Sequence, residues 1–144
     1  MDVIAFALAV IGYAGLTVTA IRAAYGSLPM ALWRATVLVI VVHTFLIWHV
    51  RYEWSFATAT RNGYAGFLIF HGALLAIVWS AVASEPLQSR LVWVSFVVVT
   101  LGAVGAVFRY DEVAVYRLPV LALGAVGVAA LLAAARRRST GRVR

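Results

Sequence analysis

The chain has 144 residues, 65% of them hydrophobic and 12% charged, with a mean hydropathy of +0.99. A water-soluble domain of this length cannot hide so much apolar surface, so the composition excludes a soluble globule and fits an all-α, polytopic membrane protein. The net charge of +7 rests on arginine alone, and with no cysteine the chain has no disulfide, thiolate metal site or covalent c-type haem attachment of its own.

Five stretches approach the roughly 20 residues that cross a hydrocarbon core of about 30 Å. The first covers 3–24. It opens Met1-Asp2-Val3, without the basic n-region of a cleaved signal peptide, so it is expected to be retained. The second, 31–50, carries His43 and ends near His49. The segment 54–62 is polar and threonine-rich, fitting a short amphipathic stretch on the membrane surface. Around it, Trp48, Tyr52, Trp54, Phe56 and Tyr64 form an expected interfacial belt. The third span, 63–83, carries His71, and the fourth and fifth cover 90–108 and 118–135.

These spans make one bundle domain, 1–135, followed by a basic tail, 136–144, holding Arg136, Arg137, Arg138, Arg142 and Arg144. Pro29, Pro86 and Pro119 fall at segment edges, where a missing N–H costs least. Glycines three apart recur as Gly12/Gly15, Gly63/Gly66, Gly102/Gly105 and Gly124/Gly127, the spacing that lets membrane helices approach closely. The words Leu-Gly-Ala-Val-Gly at 101–105 and 123–127 are identical.

With five spans the termini lie on opposite sides. Placing the tail in the cytoplasm puts Arg22, Arg34, Arg90 and the five tail arginines inside, and Arg51, Arg61, Arg109 and Arg117 outside. That asymmetry predicts a multi-pass plasma-membrane protein, N-terminus out and C-terminus in. Its arginines serve topology and anionic headgroups, so lipid rather than nucleic acid is the expected partner.

Two histidines supply the chain's main chemical signal, since an imidazole in hydrocarbon needs a partner. His43 lies seven residues before Val50 and His71 eight beyond Gly63, which places them about 10 and 12 Å below the outer surface. On adjacent antiparallel helices such a pair can face across a porphyrin as the two axial ligands of a b-type haem. Arg51 and Arg61 stand above as candidate partners for the propionates. His49 is about 120° around the helix from His43 and closer to the interface, which sets it aside. In the competing reading each histidine bonds a neighbour such as Thr36, Thr44, Ser80, Ser95 or Thr100 and joins helices. No carboxylate or thiolate shares the histidines' depth, which disfavours zinc or copper. No phosphate loop, hydrolytic triad or metalloprotease helix is present, so an enzyme is not expected.

Trp33-Arg34, the following apolar span, Trp54-Ser55-Phe56-Ala57-Thr58-Ala59-Thr60-Arg61-Asn62 and Phe70-His71-Gly72-Ala73-Leu74-Leu75 together resemble the N-terminal part of the cytochrome c haem lyase family. This chain has His71-Gly72-Ala73 where that family has a Glu-Gly-Ser motif, and it has no tryptophan-rich haem-presenting loop. Residues 64–82 and 90–108 also resemble small membrane proteins of cytochrome oxidase maturation, which carry an intramembrane histidine in a Phe-Leu-x-x-His context; here that is Phe67-Leu68-Ile69-Phe70-His71. The resemblances imply a haem-binding or haem-handling accessory protein in respiratory cytochrome assembly or electron transfer, with a respiratory membrane complex as partner. The alternatives are a cofactor-free structural or assembly subunit of a larger membrane complex, and a small oligomeric transporter.

Overall fold

The computed structural model describes residues 3–61 and 63–141; Asn62 of the outer segment and Arg142 and Arg144 of the tail lie outside them. The helices are α1 (Val3–Ala24), α2 (Met30–Val50), α3 (Phe56–Thr60), α4 (Tyr64–Ser80), α5 (Glu85–Arg109) and α6 (Arg117–Gly141). A 3₁₀ turn, Asp111–Tyr116, joins the last two. Among the described residues there is no strand, and the architecture is an all-α bundle.

α1, α2, α5 and α6 are each long and apolar enough to cross a membrane. At 17 residues α4 rises only about 26 Å, somewhat less than a hydrocarbon core. The span expected over 63–83 is therefore shorter in the fold. Gly63 adopts φ 102° ahead of it, and the chain turns at 81–83. The span expected over 90–108 is longer, because Pro86 falls in the first turn of α5, where no intrahelical N–H is needed. Residues 136–141, expected in a separate tail, continue α6.

The connections follow local chemistry. α1 ends on Gly26 at φ 79°, with Ser27 N–H bonded to Arg22 O at 3.0 Å and Gly26 N–H to Ala23 O at 3.1 Å. This is the 6→1 and 5→2 pattern of a Schellman cap, whose left-handed residue favours glycine. After α2 no glycine is available, and Glu53 and Trp54 take φ 48° and 59° themselves. For a side chain as bulky as tryptophan that is a strained turn. Ser55 then caps α3, its hydroxyl accepting from Thr58 N–H at 3.3 Å.

α1 is the hub, packing on α2, α5 and α6, whereas α4 lies at the edge against α5 and meets α2 at few places. Gly12 and Gly15 admit Ile40 and Thr36 of α2. Gly124 and Gly127 of α6 admit Thr100 and Phe96 of α5. The other two glycine pairs do not pack this way. Gly102 touches the Phe70 ring, Gly63 serves the turn, and Gly66 and Gly105 face open space. The core gathers Tyr13, Leu16 and Ala20 of α1, Trp33 and Val37 of α2, Ile77 of α4, and Val92 and Phe96 of α5.

Candidate functional site: two histidines and the ties of helix α2

His43 is half-buried and turns toward α1, where its Nδ1 lies 2.8 Å from the main-chain carbonyl of Ala5. A carbonyl only accepts, so Nδ1 carries the proton and Nε2 holds the lone pair. His71, also half-buried, is the same tautomer for a different reason. Its Nδ1 donates to Phe67 O at 2.9 Å, one turn back on α4, and its Nε2 accepts the Trp48 indole N–H at 3.2 Å. The ring stacks on Phe67 with centroids 4.0 Å apart and meets Trp48 edge-on at 5.8 Å.

The two rings thus meet α2 from different directions. His43 and Trp48 are five residues apart, about 140° around the helix. One face of α2 carries His43 to α1, and another carries Trp48 to His71 on α4. Each histidine is engaged by its own partner, and His71 meets α2 at Trp48, five residues or about 7.5 Å of helix rise beyond His43.

Four of the five hydroxyls expected as partners are occupied elsewhere. Thr36 and Thr44 bond the carbonyls of Leu32 and Ile40 in their own helix, and Ser80 bonds Ile77 O. Thr100 accepts from the Tyr13 hydroxyl at 2.9 Å, joining α5 to α1. The buried Ser95 hydroxyl has no partner among the described residues.

Around His71 the expected aromatic belt forms a continuous cluster. Trp48 contacts Tyr52, Trp54 and Phe67, and Phe56 contacts both Phe67 and Tyr64. Arg51 pairs with Glu112 of the 3₁₀ turn at 3.5 Å and lies over Tyr110. Arg61 is exposed at the end of α3.

At the opposite end of α2 stands a second tie. Trp33, wholly buried, donates its indole N–H to Ser80 Oγ at 3.1 Å, and Ser80 O accepts from Gln88 Nε2 at 2.7 Å. Sequence reading uses Trp33 only as half of a Trp-Arg motif. A signal for its burial exists, because a serine closing an apolar span at Ser80 offers an acceptor at matching depth. α2 and α4 are therefore held by indole bonds at both ends. Comparison with protein-family models, curated proteins and solved structures finds no match for this chain.

Proposed function

We propose that the protein is a helical subunit of a larger membrane assembly, whose histidines fasten its own helices and whose α4 offers the docking face. The observation that carries this reading is a stripe on α4. Ala65, Leu68, Gly72, Leu75 and Trp79 follow alternating steps of three and four residues, and all five are exposed. That 3.5-residue period is how one helix meets another along its length. Gly72, with nothing within 4 Å of its Cβ direction, leaves room for a close approach. Meanwhile the imidazoles are engaged inside the bundle, which suits tethers better than two ligands facing one porphyrin.

The test pairs two measurements. In native membranes solubilised with mild detergent, wild type migrates with a larger assembly, and Leu75→Arg releases it as the isolated bundle with its helicity kept. Wild type migrating alone overturns the proposal.

A second reading, haem handling, keeps one specific support. In both histidines Nδ1 faces a main-chain carbonyl, the arrangement that orients Nε2 of iron-ligating imidazoles. His43 is the better placed, because the Nε2 of His71 already accepts the Trp48 indole. Arg51 and Arg61 remain the candidate propionate partners. A Soret and α band appearing on haem loading, and lost in His43→Ala, supports this second reading; an unchanged spectrum rejects it.

A further inference from the structure

The two ends of the bundle treat their arginines differently. At one end, Arg51 pairs with Glu112, Arg109 lies over Tyr110, and Arg117 bonds Val107 O at 2.9 Å while covering Phe108. Three of the four arginines there are engaged by the protein, among the acidic residues Glu53, Asp111 and Glu112. At the other end the ends of α1, α4 and α6 meet the beginnings of α2 and α5. Six arginines gather there with Glu85 as the single acidic residue among those described.

Two of the six are fixed in place. Arg138 donates to Ala24 O at 2.7 Å and lies 4.9 Å over the Trp93 ring, and Arg137 lies 5.6 Å over Tyr25. Capping the carbonyl end of α1 with a cation is favourable. The remaining four, Arg22, Arg34, Arg90 and Arg136, are exposed, and their guanidiniums have no hydrogen-bond, ion-pair or ring partner among the described residues.

We propose that this end is a binding surface for acidic phospholipid headgroups, with Arg22, Arg34, Arg90 and Arg136 receiving the phosphates. The charge is concentrated where apolar helices long enough to cross a membrane stop, which is headgroup level. A guanidinium matches phosphate oxygens bidentately, and its apolar stem can lie along lipid while the head reaches the interface. Tyr25 and Trp93 beneath Arg137 and Arg138 mark the same level, as amphipathic rings do at an interface. The arginine-rich end therefore selects acidic lipid, and the opposite end does not.

The experiment reconstitutes the full chain in phosphatidylcholine nanodiscs with phosphatidylglycerol as a minor component, and native mass spectrometry counts the lipids retained on release. Phosphatidylglycerol is retained at least about fivefold above its share, the discrimination that one surface arginine supplies. In R22Q/R34Q/R90Q/R136Q it falls to its share, while R61Q keeps the enrichment. Circular dichroism checks that both variants stay helical. If the fourfold variant does not fold, raised ionic strength on wild type replaces it, and the enrichment must fall as salt screens the phosphates. Enrichment that survives the four substitutions, or that ignores salt, overturns the proposal. So does complete displacement by inorganic phosphate, which assigns the arginines to a free anion.

Discussion

Gly127→Ala tests the packing of α6 against α5 with a single methyl group. A Cβ at this position overlaps Phe96 Cζ and comes within 2.8 and 3.1 Å of the neighbouring ring carbons. Ordinary carbon contacts lie at about 3.5–4.0 Å, so the ring must retreat by close to 1 Å or more. Phe96 is wholly buried and stacks on Tyr13 with centroids 6.4 Å apart. It yields either by leaving its rotamer, about 0.5–1.5 kcal/mol, or by parting the helices, and overpacked cores lose about 1–3 kcal/mol. Alanine also favours helix over glycine by about 1 kcal/mol, which hides part of the loss. The control is Gly105→Ala, within α5 with nothing within 4 Å, where only the propensity gain applies. The stabilities of the two variants in mild detergent, followed by circular dichroism during denaturation, should therefore differ by about 1–3 kcal/mol, Gly127→Ala being the weaker. Equal stabilities refute the α5–α6 contact.

Two further outcomes follow from the ties of α2. Trp33→Phe removes the donor to Ser80 and lowers stability by about 0.5–1.5 kcal/mol; hydrogen exchange should quicken in α4 before α1, and uniform quickening argues against a tether. Arg51→Gln breaks an exposed ion pair with Glu112, of the kind worth about 0–1 kcal/mol, so the denaturation midpoint should stay almost unchanged.

The apolar spans were legible because hydropathy acts locally, whereas three of their edges moved: α4 stops at Ser80, α5 already begins at Glu85 and α6 runs on past 135. Which face each helix turns inward was not legible. Apolar residues surround these helices almost evenly, so no amphipathic stripe marks the core side, as happens when lipid replaces water as solvent. The repeated word Leu-Gly-Ala-Val-Gly shows the consequence. At 123–127 its glycines receive Thr100 and Phe96, whereas at 101–105 one touches Phe70 and the other faces open space. The histidines illustrate the same division. Counting residues along the spans set them opposite each other, but the rotation and offset that give His43 to Ala5 and Trp48 to His71 depend on neighbours the local sequence does not name.

The central place of α1 has a consequence for how the chain is made. α1 is synthesised well before two of its packing partners, α5 and α6. At about 5–20 residues per second, the 87 residues between Tyr13 and Thr100 and the 114 between Ala24 and Arg138 take about 4–23 s to emerge. Through that interval the Tyr13 hydroxyl awaits Thr100 and the end of α1 awaits Arg138. Until α5 and α6 arrive, α1 packs on α2, and its remaining faces meet lipid or a neighbouring protein.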